Sequence, residues 1–383
     1  MGKIMDIEKI NELYKLGEIK SAGPFGDGRM NTTYRVETKD GHTYIVQVIN
    51  DRLFPDPTAV MANIQQVCNH LRAKALARRE STANVLTLIP TKFNSPFVSI
   101  DGQNYRVYNC IENSTCYNEG SGRVVREAGR IVGQFQNDLS DFDTKKLYDT
   151  LPNFHNTRLR YLDLISAINN DAMGKASECK DAFEIVNTYR PIMGAISDNV
   201  DNGTLPIRVT HNDTKLNNIL FDSKGKNAVA LVDFDTVGVG SYLYDYGDAI
   251  RSVCNPAGEE ANAMDVYFDM DNFNEFTSGY LHSNKNLTPE EIELMPLSCM
   301  IITYELGMRF LTDHLNGNTY FKVKYDGQNY ERAMNQFNLL RDMHKNYNNM
   351  YDLVQETAYE HNTSKLNAHE YIEQIELDKE SSL

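Results

Sequence analysis

The chain has 383 residues, 41% of them hydrophobic and 24% charged, the composition of an ordinary globular protein large enough for two lobes or domains. With 53 acidic and 38 basic residues its formal net charge is −15, which argues against nucleic acid or an anionic membrane surface as a partner. The six cysteines are scattered and form no C-x-x-C pair, so we expect no zinc site. Scattered cysteines are also typical of a protein in a reducing compartment.

Neither the N-terminus nor the apolar stretches indicate a secreted or membrane protein. The first ten residues lack the continuous apolar core of a signal peptide. The best candidate for a membrane span, residues 300–311, is interrupted by Glu305 and Arg309. We therefore expect a cytoplasmic protein that works without a membrane, and we expect a monomer.

The N-terminal part of the chain, to about residue 108, predicts a small sheet and two helices, the second of them between strands. Helical spacing of apolar residues indicates a helix over 4–16, and alternation after Asn31 indicates a strand. The turn Asp40-Gly41 then leads into a second strand over 43–49. A helix capped by Asp56 or Thr58 should run to about residue 74, followed by strands over 85–89 and 103–108.

Small residues before the first hairpin suggest a nucleotide site. Glycines let backbone N–H groups approach phosphate oxygens, although an ordinary surface hairpin would have the same composition. The segment after residue 108 reads as a hinge between two lobes. The predicted nucleotide-binding residues in these stretches are Gly26, Asp27, Gly28, Asn31, Thr32, Cys110 and Ile111.

From residue 121 onward the pattern becomes mostly helical. A strand pair over 207–234 interrupts the helices, and the tail after residue 366 is polar, acidic and expected to fray. The predicted helices cover 123–142, 161–171, 178–199, 264–283, 289–313 and 328–360. We therefore predict a mixed α+β, two-lobed protein, with a nucleotide-binding lobe over 1–111, a helical catalytic lobe over 112–366 and a tail over 367–383.

The predicted strand pair over 207–234 contains a loop after its first strand. This loop has the spacing H-x-D-x-x-x-x-N, formed by His211, Asp213 and Asn218. In kinase-like phosphotransferases the Asp of this pattern accepts the proton of the acceptor hydroxyl and the Asn binds magnesium. A lone Asp in a loop is usually a turn or cap residue, but the surrounding pattern favours a catalytic base. We predict a structural role for His211, beneath the loop.

Lys215 follows Asp213 by two residues and is the second predicted catalytic group. A cation there would stabilise the charge that develops on the transferred phosphoryl group, whereas the alternative is a solvated lysine. Asp233 ends the next apolar run, and a hairpin would bring it to the same edge as Asn218. Because Mg²⁺ prefers oxygen ligands, we predict Asn218 and Asp233 as its ligands. Asp235 is either a further ligand or exposed to solvent.

These two motifs resemble those of the aminoglycoside phosphotransferase and choline kinase superfamily, which has a protein-kinase-like fold. Other stretches are more similar to the bacterial N-acetylhexosamine 1-kinases within it, and the resemblance extends to about residue 345. The similar stretches are 24–28, 31–34, 54–56, 106–108, 126–129, 135–137, 154–157, 208–220, 245–248 with Arg251, 305–311 and 320–321.

The resemblance implies that ATP, with Mg²⁺, phosphorylates the anomeric hydroxyl of N-acetylglucosamine or N-acetylgalactosamine. An alternative is a related kinase for another hydroxylated substrate, such as choline or an aminoglycoside, and a further one is a pseudokinase that binds without transfer. The expected substrate contacts are Asp213, Asp245, Asp248, Arg251, Arg309 and Tyr320. Asp245 and Asp248 could instead cap a helix, and Arg251 could pair with one of them.

One position departs from the protein-kinase pattern. Gln47 stands in the strand where a phosphate-binding Lys is expected, and the helix over 58–74 has no acidic residue to pair with one. We predict that Gln47 still lines the nucleotide site and that it contacts Gln65 or Gln66 through their amides. Neutralisation of the phosphates would then depend on Mg²⁺, Lys215 and Arg29.

Overall fold

A computed structural model describes residues 5–26, 31–358 and 366–381. The N-terminal part contains a five-stranded antiparallel sheet in the order β1-β2-β3-β5-β4. Its strands are β1 (Ile19–Pro24), β2 (Thr32–Thr38), β3 (Thr43–Val48), β4 (Val98–Ile100) and β5 (Gln103–Asn109). Two longer helices accompany it, α1 (Ile7–Tyr14) and α2 (Pro57–Ala77).

Local signals explain most of these elements, and one expectation was wrong. Asp56 caps α2 by accepting a hydrogen bond from the Ala59 N–H at 3.0 Å, as the sequence predicts. The strand expected over 85–89 is only a single bridge between Leu88 and Tyr108. Pro90 follows directly and has no N–H to continue the ladder, so the edge strand of the sheet is formed by β4 instead.

The larger part is mostly helical, with two small sheets. One sheet pairs β6 (Ser114–Thr115), β8 (Ile219–Asp222) and β9 (Ala228–Leu231), and the other pairs β7 (Arg208–Thr210) with β10 (Gly238–Gly240). The helices are α3 (Arg123–Asp138), α4 (Thr157–Asn170), α5 (Lys180–Tyr189), α6 (Ser197–Asp201), α7 (Tyr242–Val253), α8 (Met270–Ser283), α9 (Pro289–Leu315), α10 (Gln328–Lys345), α11 (Tyr347–Thr357) and α12 (His369–Ser381). This mixed α+β architecture is the one predicted.

Several helices differ from their predicted limits. The helix expected over 178–199 is divided into α5 and α6 by a 3-10 turn that contains Pro191, which cannot donate the next helical hydrogen bond. The segment expected to fray forms α12, because Ala368 and Ile375 are completely buried there. The helix expected over 328–360 breaks at Asn346, between α10 and α11.

Helix α9 runs through the middle of the helical part. Thr288 and Glu291 form a reciprocal capping box at its start. By length and composition α9 could cross a membrane, contrary to our expectation, but 89% of its apolar window is buried inside the protein. Helix α9 is therefore part of the protein core.

Candidate active site

Asp213 lies in the loop between β7 and β8 with its side chain 14% exposed. Its Oδ2 atom accepts hydrogen bonds from Lys215 Nζ at 2.7 Å and from Asn218 Nδ2 at 2.9 Å. Asn218 also donates to the Asp213 carbonyl at 2.9 Å, which fixes the backbone of the loop. The structure thus brings together Asp213, Lys215 and Asn218.

The charge of Asp213 is set by Lys215. Burial alone would raise the pKa of the Asp213 carboxyl, but the adjacent Lys215 ammonium outweighs it and holds that pKa below its usual range. Burial likewise opposes the charge on Lys215, and Asp213 raises the pKa of Lys215 nonetheless. Both groups are therefore charged at neutral pH, and the Asp213 carboxylate can accept a hydrogen bond from an alcohol.

His211 is fully buried beneath this loop. Its Nδ1 atom accepts from the Asp213 N–H at 3.2 Å, so Nε2 carries the proton and donates to the Val232 carbonyl at 3.0 Å. The ring packs edge-on against Phe135 and Phe234. His211 thus supports the loop from below.

The backbone of the same loop is hydrogen-bonded to side chains on one face of helix α7. Asp245, which is fully buried, accepts from the N–H groups of His211 and Asn212 at 2.7–3.1 Å. One turn further on, Asp248 accepts from the Thr214 N–H at 2.9 Å. Both carboxylates were expected to contact substrate, but these bonds assign Asp245 and Asp248 to holding the loop.

Arg251 completes this face of α7. It pairs with Asp248 at 2.9 Å and reaches Glu259 at 3.3 Å, and its side chain is 8% exposed. The ion pair between Arg251 and Asp248 is the structural alternative to a substrate contact that the sequence left open.

Asp233 has the features of a cation ligand. Its Oδ1 atom is buried without a hydrogen-bond partner. Burial, together with the nearby carboxylates of Asp235 and Asp213, raises the pKa of Asp233 to about 7. A divalent cation would relieve both the missing bond and the crowding of negative charge. With the Asn218 amide nitrogen bound to Asp213, its amide oxygen is left as a second hard ligand, so these residues fit Mg²⁺.

Asp235 matches neither of its two expected roles. Its side chain is 1% exposed, and it forms an ion pair with Arg106 Nη1 while also accepting from Asn31 Nδ2. It is therefore neither solvated nor available to a metal ion. Asn31, predicted to bind nucleotide, connects the start of β2 to this loop instead.

The expected contact between Gln47 and Gln65 or Gln66 is wrong. Gln66 donates to the Lys146 carbonyl at 2.9 Å. Gln47 donates to Thr33 Oγ1 at 3.1 Å and accepts from Arg106 Nε at 3.0 Å. Arg106 is opposite Gln47 on β5, so the cation of this region comes from the neighbouring strand.

The other predicted nucleotide residues border the N-terminal sheet. Thr32 is exposed at the start of β2, and Gly26 has a positive φ of 72° just after β1. Cys110 and Ile111 follow β5, and the Ile111 carbonyl accepts from Ser114 Oγ at 2.6 Å. Asp27, Gly28 and Arg29 lie outside the described residues.

Arg309 and Tyr320 lie together in an aromatic cluster. The Arg309 guanidinium lies 5.1–5.6 Å from the ring centroids of Phe154, Tyr320 and Phe321, and its Nη2 is 3.4 Å from the Tyr320 hydroxyl. Tyr320 is 52% exposed, so this cluster opens to solvent.

A cavity of about 230 Å³ extends from Phe154 to Asn212, the residue that precedes Asp213. Beside it, His155 stacks on Tyr244 and bonds Glu305 at 3.0 Å. Burial would raise the pKa of Glu305, but His155 and Arg309 hold it below its usual range. A charged Glu305 therefore lies one helical turn before Arg309.

Sequence reasoning missed Arg106, His155 and Glu305 as parts of the site. All three lie in stretches that carry the family resemblance. For Arg106 and Glu305, a charged residue in an otherwise apolar strand or helix was the available signal, whereas His155 lies in a turn. Their partners are 129 and 150 residues away, so no local pattern could assign a contact.

Comparison with known families agrees with this geometry. A model of the phosphotransferase enzyme family (APH) matches residues 21–270, about two thirds of the chain. The chain belongs to the phosphotransferase enzyme family. The matched range includes most of the sheet, the Asp213 loop and Asp233, whereas Arg309 and Tyr320 lie beyond it.

Solved structures show the fold of this phosphotransferase. An amicoumacin kinase in complex with AMP-PNP, Ca²⁺ and Ami superposes with a TM-score of 0.56 at 12% identity, covering 88% of this chain and 93% of that one. An aminoglycoside phosphotransferase from Alicyclobacillus acidocaldarius gives 0.55 at 13% identity, covering 93% and 97%. An ethanolamine kinase from Plasmodium vivax gives 0.53 at 12% identity, covering 87% and 84%. This phosphotransferase thus has the two-lobed fold of small-molecule kinases of the aminoglycoside phosphotransferase and choline kinase type.

Proposed function

We propose that this phosphotransferase transfers the γ-phosphoryl group of ATP, with Mg²⁺, to the anomeric hydroxyl of an N-acetylhexosamine. The observation that carries the transfer chemistry is the contact of Asp213 with both Lys215 and Asn218. The binding of AMP-PNP by the similar amicoumacin kinase supports ATP as the donor.

Each of these residues has a separate role in the transfer of the phosphoryl group. Asp213 orients the acceptor hydroxyl and accepts its proton. Because an anomeric hydroxyl is more acidic than an ordinary alcohol, its carboxylate base does not need a strongly raised pKa. Lys215 moves from Asp213 to the transferred phosphoryl group, where negative charge develops. Asn218 and Asp233 would hold Mg²⁺, which neutralises phosphate charge when bound.

The region around Arg309 favours a neutral sugar as acceptor. A site for choline or an aminoglycoside needs aromatic or acidic groups that are free to bind a cation. Here the aromatic cluster of Phe154, Tyr320 and Phe321 is already occupied by the guanidinium of Arg309. That guanidinium repels cations and can donate hydrogen bonds to sugar hydroxyl or acetamido oxygens. The similarity to N-acetylhexosamine 1-kinases in stretches 154–157, 305–311 and 320–321 supports the same assignment.

A panel of acceptors tests the proposal. ADP release would be followed with ATP and Mg²⁺ for N-acetylglucosamine, N-acetylgalactosamine, glucose, choline, ethanolamine and an aminoglycoside. We expect turnover to be fastest with an N-acetylhexosamine. Preferred turnover of choline, ethanolamine or the aminoglycoside would replace the sugar assignment, and nucleotide binding without turnover of any acceptor would point to a pseudokinase.

A further inference from the structure

A buried ion pair joins the N-terminal sheet to the loop that contains Asp233. Arg106 on β5 and Asp235 are each 1% exposed and contact each other directly. Polar neighbours add further hydrogen bonds to the pair, because Arg106 Nε donates to Gln47 at 3.0 Å and Asn31 donates to Asp235. This pair is a direct polar link between the two parts of the protein.

Stability alone is a weak explanation for such a pair. The cost of removing two charges from water commonly equals or exceeds their attraction, so apolar residues of similar size would serve as well. A pair that is almost completely buried and hydrogen-bonded to its neighbours is better explained by the geometry that it imposes. Gln47, opposite Arg106, stands where protein kinases place the Lys of their Lys–Glu pair.

The geometry in question is that of Asp233. Its backbone is left-handed, with φ 70° and ψ 60°, which is unfavourable for a residue other than glycine. Such a conformation persists only when its surroundings determine it. The three residues that follow are each fixed: Phe234 packs against His211, Asp235 is held by Arg106, and Thr236 Oγ1 donates to the His211 carbonyl at 2.7 Å.

We propose that Arg106 and Asp235 are a positioning pair that holds the Asp233 carboxylate in place for the Mg²⁺–nucleotide complex. The pair takes the place of the Lys–Glu pair of protein kinases, but it connects the sheet to the metal-binding loop instead of to a helix. The inference rests on the proposed function, in which Mg²⁺ is the ion bound by Asp233. Neither residue needs to touch a reacting atom.

The double variant Arg106→Gln with Asp235→Asn tests this role. It removes both charges, so no unpaired charge is left in the core. Binding of AMP-PNP would be measured by calorimetry over a series of Mg²⁺ concentrations, which requires neither an acceptor nor turnover. Loss of an outer-shell partner weakens metal binding by about 10–100-fold. We therefore expect the Mg²⁺ midpoint, the Mg²⁺ concentration at which AMP-PNP binding shows half of its total change, to rise by that factor. Binding of AMP-PNP in EDTA should remain within about twofold of native, because the pair acts through the metal ligand.

A second Arg–Asp ion pair provides the control, although it is more exposed, with Arg78 36% and Asp138 9% exposed. Arg78 bonds Asp138 at 2.6 and 3.0 Å and joins the end of α2 to the end of α3. Their other side-chain partners include Glu80 and Gln134, and none of their side-chain hydrogen bonds is to the 233–236 loop. The variant Arg78→Gln with Asp138→Asn should therefore keep the native Mg²⁺ midpoint.

Arg106→Lys keeps the charge but cannot bond Gln47 and Asp235 together, so its Mg²⁺ midpoint should be intermediate. It also serves as the test if the double variant does not fold. A native Mg²⁺ midpoint in a folded double variant, or in Arg106→Lys if only that one folds, would overturn the positioning role alone. AMP-PNP binding by the native protein that does not respond to Mg²⁺ would overturn the proposed function as well.

Discussion

Hydrogen bonds of the polar side chains in and around the Asp213 loop determine which atoms remain for a ligand. Asp245 and Asp248 are occupied by loop N–H groups. Asp213 is held by Asn218 and by Lys215, whose ammonium can move to a phosphate. Asp233 keeps one buried oxygen without a partner. Catalysis is therefore expected to depend on Asp213 and Asp233, and loop geometry on the two carboxylates of α7.

Replacing Asp213 by Asn should abolish transfer while sparing nucleotide binding. The amide keeps the size of the side chain but cannot take the proton, and general base catalysis contributes about 10²–10⁴-fold. The measurement is kcat with ATP, Mg²⁺ and the preferred acceptor, alongside calorimetry with AMP-PNP. Asp222→Asn, at the last residue of β8, is the control and should be native in both. Near-native turnover of Asp213→Asn would remove Asp213 from the role of base.

Arg309→Gln should impair use of the acceptor and spare use of ATP. Hydrogen bonds from a charged donor are worth about 1.5–3 kcal/mol, so kcat/KM for the sugar should fall about tenfold or more. The KM for ATP should stay close to native. Arg158→Gln, which breaks an exposed ion pair with Asp198, is the control. Equal losses for sugar and ATP would show that Arg309 only maintains the fold.

Among the helices and strands, those with strong local sequence signals were predicted correctly. Asp56 marked the start of α2 correctly, and the predicted start of α9 at residue 289 is confirmed. The interruption at Pro191 and the break at Asn346 were missed, because continuous apolar spacing hid them. The catalytic motif was equally local, spanning eight residues from His211 to Asn218. The pair of Arg106 and Asp235 depends on strand register and on a loop 129 residues away, so no sequence window contains it.

The crossing of α3 and α8 depends on glycine. A Cβ atom at Gly279 would lie 2.0 Å from the Arg126 carbonyl oxygen, and one at Gly129 would lie 2.1 Å from the Phe276 carbonyl oxygen. Backbone atoms cannot give way as a flexible side chain can, so the helices would have to separate.

Gly279→Ala should therefore lower the free energy of unfolding by about 1–3 kcal/mol, the usual cost of overpacking a core. Urea denaturation followed by circular dichroism measures this change. Gly23→Ala, where nothing lies within 4 Å of the added atom, should differ from native by less than about 0.5 kcal/mol. Equal stabilities of the two variants would contradict the close approach of α3 and α8.

At the level of the whole molecule, the two lobes share a hydrophobic core. Ile64 and Val67 of α2 belong to the same buried cluster as Met300 of α9. A separate cluster, which includes Ile10 and Val36, lies between α1 and the sheet. The two-lobed class was predicted from the change in pattern near residue 121, whereas the continuity of the core across the lobes was not.

We therefore expect urea to unfold both lobes in one cooperative transition. Circular dichroism would follow the helices, and tyrosine fluorescence would report on the whole chain, which has 22 Tyr and no Trp. Coincident midpoints are expected from the shared core. Two separated transitions would show that the lobes fold independently.

The central claim is that the Asp213 loop delivers phosphate to an anomeric hydroxyl. The most direct measurement is NMR of the product formed from N-acetylglucosamine, or N-acetylgalactosamine if it is preferred, with ATP and Mg²⁺. We expect a single phosphate whose phosphorus couples to the proton on C1 of the sugar, and no such product with Asp213→Asn. Phosphorus coupled to the C6 protons, or no phosphorylated sugar from either substrate, would contradict it.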